Sequence, residues 1–557
     1  MRKKKLFLTL ILSGMVVTTG TGCGASVFFN DGTVVSVGNT NPTGNGQTGQ
    51  TNNQGNTATN KDELLVEGGN DIPNPETADG SDPYITGGDI SPYYIDPNTQ
   101  TTDSDLDNPN TTGNKTSSGG TVTGDLNNDN DDTSASTSQT RAQTDLYVAT
   151  YGNDDDDGSF DHPFFTIQKA LDTISPGHTV YVMSGIYYGA NKFTNSGTPE
   201  SPIKITAMPG ASVTVSLGRG ESGAIFDING QSNIDIQDFK IGYSYADWVY
   251  GILMSNGEHN VNIERNEFCN ISTTASPGWG GAYAILAYGN GATEETAISD
   301  VTIYNNKVHN LYTGFSEAIA ASGNVNNIHI IGNIVNEISN IGIDLYGGGD
   351  YSSNDPLDQP RNCEIKGNTV YQCVSPFGAC AGIYVDGAKD SSVEDNYVYE
   401  CAYGIEIGSE NYNYLYPCTN IKVLNNTVHD NHDAGISIGG YDELKSAATT
   451  FSEVSGNILY NNGQQGNDGA NGEIHFEKCH DITVSDNLVR NHDYSLPVIG
   501  CGKKGEHVKN VTFSNNLYAY DKPDKIIFSF GKNYYIGLEA WNTFTGGSDV
   551  NEKKESK

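Results

Sequence analysis

The stretch GIYVDGAKDSSVEDNYVYECAYGIEIGSEN, residues 382–411, sets two carboxylates, Asp386 and Glu406, inside alternating apolar runs. In a strand every second side chain points the same way. Ile383, Val385, Ile405 and Ile407 then face one side, and Tyr384, Asp386 and Glu406 face the other. Extending the alternation to related strands yields two outward columns. One carries Asp344, Tyr384, Glu406 and His475, and the other carries Tyr346, Asp386 and Glu477. Earlier turns hold bland residues there, such as Leu253 and Ala320.

Two chemistries suit that set. Paired carboxylates perform glycoside hydrolysis when their separation lies within roughly 5–9.5 Å, one as general acid and one as base or nucleophile. With strands ~4.8 Å apart and same-face residues ~6.6 Å apart, Asp386 and Glu406 fall about 8 Å apart at Cα. Asp344 and Glu406 fall about 10 Å apart. His475 could join the proton traffic. Elimination needs a basic residue, and Lys389 is the best placed of Lys366, Lys389, Lys422 and Lys478. Asp344, Asp386 and Glu406 could also hold calcium through hard oxygen ligands. Tyr346 and Tyr384 could stack on sugar rings. The plainer reading is that acids simply solvate the outside of a sheet, although stacked like charges on neighbouring strands repel.

An internal repeat must position these residues. An Asn recurs with apolar neighbours in VNIERNEF, VTIYNNKV, IHIIGNIV, CEIKGNTV, SSVEDNYV, IKVLNNTV, SEVSGNIL, ITVSDNLV and VTFSNNLY. These Asn are 266, 306, 333, 368, 396, 426, 457, 487 and 516, at intervals of 27 to 40 residues. A second short strand lies between copies, and no helical pattern does. Each strand therefore pairs with its copy one turn later, a right-handed parallel β-helix of about ten turns, all-β except for a short N-terminal capping helix over 166–174. The repeated Asn suits a stacked turn, bonding the next turn and tolerating left-handed geometry. The longest later insertions, 346–360, 409–417 and 440–450, leave the same strand end and form one wall along the acidic face. Tyr412, Tyr414 and Tyr416 alternate there as a sugar-stacking platform would.

The composition narrows the partners. With 68 acidic and 30 basic residues the formal charge is −38. Nucleic acid and anionic membrane surfaces both need positive charge and are excluded as partners. Residues 1–22 form an export signal with a basic start and an apolar core. Gly20–Thr21–Gly22–Cys23 resembles a bacterial lipobox, so Cys23 is the expected lipidation site and the lipid the expected membrane contact. Residues 23–143 are low-complexity and acidic, a disordered tether. The β-helix domain is expected over 144–545, with a charged tail over 546–557. Acidic turns at 124–132 and 153–158 lack the remaining features of calcium loops. Eight further Cys contain no CxxC pair, leaving zinc without sequence support and disulfides or stacked buried thiols both open.

The opening YV…GND…G, HPFFTIQKALD, PGHTVYVMSGIYYG, the Asn turns and the tail YYIGLEAWNTFTG resemble bacterial right-handed β-helix proteins of the pectin-lyase-like superfamily related to polysaccharide lyase family nine. About 400 residues share that likeness. It implies the fold and an exported, cell-surface or secreted protein acting on polysaccharide. That family's Asp-Gly-Phe run, which supplies calcium ligands and leads to a catalytic Lys, is not visible here. The expectation is a monomeric polysaccharide-cleaving enzyme, hydrolase or calcium-assisted lyase. The alternative is a glycan-binding or adhesin solenoid without catalysis.

Overall fold

The computed structural model describes residues 145–411, 415–440, 446–463, 472–490, 493–501 and 507–551, and three short strands within 16–37. Those strands, Val16–Thr18, Ala25–Phe28 and Val34–Val37, pair antiparallel and belong to a unit spanning 1–130. Two of them fall inside the stretch expected to be tether, where VVSV and ASVF are rich enough in β-formers to pair. Cys23, Tyr412 and Tyr414 lie outside the described residues.

The second unit stacks three long sheets of 13, 14 and 13 strands. Every neighbouring pair in it is parallel except the last, Ile527–Phe530 with Asn533–Ile536. The first turns, from Leu146 to Tyr245, carry strands but no ladder Asn. One helix, α1 (Ile167–Thr173), follows the first strand, with Thr166 as its N-cap accepting from the Lys169 N–H at 3.2 Å. A second, α2 (Leu538–Thr545), covers the far end, where Trp541 is fully buried and stacks on Phe528 at 4.6 Å. The stack continues past residue 545. Asp549 is buried, accepts from Asn516, and leads into the strand Val550–Asn551.

The Asn ladder is a continuous chain of bonds. Each ladder Asn is buried and donates its backbone N–H and its Nδ2 to the side-chain oxygen one turn on, as Asn396 does to Asn426 at 2.9 Å in both cases. Its Nδ2 also reaches a main-chain carbonyl of the turn before, Ile365 in the case of Asn396. The left-handed geometry expected of these Asn belongs instead to the residue before each of them. Arg265, Asn305, Asp395, Asn425, Asp486 and Asn515 have φ near +55°, and Gly332, Gly367 and Gly456 fill the same place in other turns. The ladder Asn is held inside by its bonds, so the preceding residue makes the corner.

The sheet that carries the candidate site includes β1 (Trp248–Met254), β2 (Gly281–Gly289), β3 (Ile319–Gly323), β4 (Ile343–Tyr346), β5 (Ala381–Asp386), β6 (Tyr403–Ser409), β7 (Ala434–Gly440) and β8 (Ile474–Phe476). Its inner face is an aliphatic ladder, Ile343–Ile383–Ile405–Ile436–Ile474, with each residue at most 1% exposed. Burying each such side chain contributes about 1.5–3 kcal/mol, which fixes the register and therefore the outer columns.

Candidate functional site

The strand registers reproduce the first outward column and the Tyr346–Asp386 part of the second, while Glu477 lies just past the end of β8. Asp344 pairs with Tyr384, Tyr384 with Glu406, Glu406 with Ser437, and Ser437 with His475. Tyr346 pairs with Asp386, and Asp386 with Gly408. Asp344 and Glu406 are thus two strands apart, and Asp386 and Glu406 are diagonal neighbours.

These residues do not lie on an open sheet. Asp344, Tyr384 and Asp386 are each only 2% exposed, and His475 is fully buried. Glu406 keeps intermediate exposure. The loops after β4 and β6 fold over the face instead of standing beside it. Gln359 Nε2 donates to the carbonyls of Gly387 at 2.6 Å and Pro417 at 2.9 Å, pinning both loops. The Asn411 side-chain amide donates to the Gly348 carbonyl.

Tyr416 is part of that clamp and not a stacking platform. It is 2% exposed and its ring lies against Gly348, whose φ of +78° and lack of Cβ make room for it. Tyr416 lies outside any strand, so strand alternation does not set its direction.

Two acids missed by alternation complete the cluster. Glu410 follows β6 directly, and its backbone N–H donates to Asp386 Oδ1 at 2.8 Å. Glu317 stands two residues before Ile319, as Tyr283 stands before Ile285 and Tyr250 before Ile252. In β1 both Val249 and Ile252 face the core although they are three residues apart. Strict alternation fails at the Gly or Ala between Tyr250 and Ile252 and between Tyr283 and Ile285, which creates a third outward column. The three-residue apolar spacing in WVYGI and GAYAI is the signal that reveals it. Trp248 stacks on Tyr250 at 6.5 Å and Tyr250 on Tyr283 at 5.5 Å, an aromatic run toward Glu317.

The electrostatics of the cluster follow from burial. Loss of hydration pushes Glu406 up to about 8, with Glu410 and Glu477 adding repulsion. Glu317 is also pushed up to about 8, by burial and then by Glu410. Asp344 rises well above the usual carboxylate range through burial and the charges of Glu317, Asp386, Glu410 and Glu406. Asp386 rises through burial and Glu410's charge, while Glu410's N–H favours its ionised form. Glu410, exposed at the rim, is raised by partial desolvation. Asp344 Oδ1 and the Tyr384 hydroxyl are buried with no hydrogen-bond partner among the described residues. Buried polar atoms without partners are costly, and these two sit in the middle of the acidic face.

His475 Nε2 lies 3.1 Å from Glu477 Oε1, so these two form a pair of their own beyond Ser437. Lys389 is not at the site. It opens the strand Lys389–Glu394 of a neighbouring sheet, past the corner at Gly387–Ala388, and no ion pair joins it to these acids among the described residues. The expected calcium trio does not assemble either. Among the described residues, Asp344, Asp386 and Glu406 do not bring their oxygens within 4.8 Å of one another. The diagonal and two-strand spacings keep them apart. Seven of the eight described Cys are buried free thiols.

A family model described as a right-handed β-helix region matches residues 224–451, which settles the hand of the solenoid. A stretch of 73 residues, 13% of this chain and 18% of the relative, is 37% identical to pectate lyase PEL9 of Emericella nidulans. Among solved structures, a lacto-N-biosidase of Eubacterium ramulus superposes with a TM-score of 0.47 at 14% identity, covering 73% of this chain and 68% of that one. The uncharacterized protein YwoF of Bacillus subtilis is 30% identical over 418 residues, 72% of this chain and 85% of YwoF. The chain belongs to the family of YwoF and is itself a right-handed parallel β-helix.

Proposed function

We infer that the protein is an exported glycan-processing enzyme that hydrolyses glycosidic bonds at the acidic face of β4, β5 and β6. The observation that carries this reading is the placement of Glu406 and Asp386 as diagonal neighbours on one face, both held above the usual carboxylate range by burial, with the Glu410 N–H on Asp386 Oδ1 offsetting part of that rise. The N–H bond that Asp386 accepts favours it as the member that ionises, which would leave Glu406 as the acid. Glu406 donates the proton to the leaving oxygen. Asp386 activates water or attacks the anomeric carbon, at a Cα spacing of about 8 Å. Asp344 and Tyr384 offer their unpartnered buried oxygens to sugar hydroxyls, and Tyr346 lines the neighbouring column beside Asp386. The aromatic run from Trp248 to Tyr283 supports an approach path for sugar rings. The chain's likeness over 73 residues to a pectate lyase supports glycan chemistry in general. Elimination is the weaker reading, because Lys389 stands on another sheet.

Incubation with neutral hemicelluloses and with polygalacturonate, with and without chelator, tests this. Reducing ends without ultraviolet-absorbing unsaturated product are expected. Unsaturated product lost on chelation would replace the proposal with elimination. Binding without any product would establish the non-catalytic alternative.

A further inference from the structure

A second constellation lies on a different sheet and takes no part in the acidic face. Glu267 and Cys269 belong to the strand Glu267–Thr273, and His309 to the next strand, Lys307–Tyr312. The register pairs Cys269 directly with His309. Phe268, between Glu267 and Cys269, points into the core, so Glu267 and Cys269 share the outward side. Cys269 is nevertheless 1% exposed, roofed by its neighbours without joining the apolar core. One donor atom from each of Glu267, Cys269 and His309 lies within 4.8 Å of the other two.

We propose that Glu267, Cys269 and His309 form a site for a borderline divalent cation, Zn²⁺, clamping two successive turns of the solenoid. A thiolate, an imidazole and a carboxylate are the donor types that Zn²⁺ accepts together, and softer or harder ions suit this mixture less well. Zinc–ligand lengths of about 2.0–2.3 Å need donors about 3.3–3.8 Å apart. His309 Nε2 and Glu267 Oε1 are already 3.0 Å apart, so a small side-chain adjustment brings the third donor in.

Partners that would orient the ligands are present. Lys240 Nζ lies 3.1 Å from Glu267 Oε2, the oxygen turned away from His309. Asn310 Nδ2 lies 3.2 Å from His309 Nδ1. Metal on Nε2 places a proton on Nδ1, which the Asn310 amide accepts after turning its oxygen inward. Binding releases the Cys269 thiol proton to solvent, and the fourth position stays open to water. The ligands are separated by up to 42 residues and make no CxxC, which hides them in the sequence.

The test uses the full chain, stripped with chelator, loaded with Zn²⁺ and dialysed, with metal counted per chain. Co²⁺ loading gives a second readout, the thiolate-to-cobalt charge-transfer band. About one zinc per chain and a cobalt band are expected. Both should vanish in Cys269→Ser and in His309→Gln, with far-ultraviolet circular dichroism checking the fold of each. Lys240→Met should weaken binding about 10–100-fold while leaving the band in place. Absence of retained zinc and of the band in the unaltered chain would overturn the proposal. So would a band that persists in Cys269→Ser, since it would then belong to another thiol.

Discussion

Asp386 and Glu406 are the same chemistry in two environments, and their difference is testable residue by residue. Glu406→Gln and Asp386→Asn should each lower kcat on the cleaved glycan by about 10²–10⁴-fold with an unchanged circular dichroism spectrum. Full activity in either variant would remove that residue from the mechanism. In the parent protein the basic limb of the kcat profile should fall near pH 8, where Glu406 loses its proton. The same shift has a consequence for stability. Glu406 and Glu317 hold protons more tightly folded than unfolded, so the folded state binds more protons between the usual carboxylate range and about pH 8. Their stabilisation is complete below that window and is lost as pH rises through it. The melting temperature should therefore drop between about pH 5 and 8, and drop less in Glu406→Gln; parallel curves would contradict the assignment. Alternation in the sequence was enough to locate Asp344, Asp386 and Glu406 on one face. It missed Glu317, because the parity of the strand breaks just after it, and Glu410, because it comes from a loop.

At the scale of elements, two devices hold the site: the Asn ladder at the corner between the other two sheets, and the loop clamp over the site itself. The Asn396 side chain donates from Nδ2 to Ile365 O and Asn426 Oδ1 and accepts from the Asn368 N–H and Nδ2 in a buried corner, so Asn396→Ala should cost several kcal/mol at about 1–3 kcal/mol per stranded partner. Chemical denaturation read by fluorescence measures that loss, and a cost below about 1 kcal/mol would show that the ladder is dispensable. Tyr416→Ala separates the clamp from a sugar platform. A clamp residue leaves a cavity worth about 3–5 kcal/mol and loosens both loops, lowering kcat and stability together. A platform residue would raise KM and leave stability unchanged. Gly348→Ala should resemble Tyr416→Ala, because the added Cβ would meet the Tyr416 ring at 2.3 Å. The ladder was legible in the sequence because its nine Asn recur at a nearly fixed interval. The clamp was not, because loop residues have no period and Tyr416 is buried by a contact with Gly348, 68 residues earlier. The left-handed corner was misplaced by one residue, since composition shows that a turn exists but not which of two polar neighbours takes positive φ.

At the scale of the whole molecule, charge bears on which glycan the proposed site would take. The chain carries −38, and cleavage after residue 22 would remove Arg2, Lys3, Lys4 and Lys5 and leave −42. A field of that sign repels polyuronates, and the acidic face adds to it once its carboxyls ionise. A neutral glycan meets no such barrier, and the carboxyls of Glu406 and Glu317 stay protonated at neutral pH without a counter-ion. The prediction concerns salt. For a neutral oligosaccharide, kcat/KM should change little as sodium chloride rises from about 10 mM to 150 mM, because no long-range charge is being screened. For an acidic oligosaccharide of the same linkage, kcat/KM should start lower and rise several-fold, as the Debye length shortens from roughly 30 Å to 8 Å. Initial rates on a matched pair of substrates measure both. A preference for the acidic substrate at low salt would mean that a bound cation reverses the local field. The hydrolytic reading would then give way to cation-assisted elimination on the same sheet.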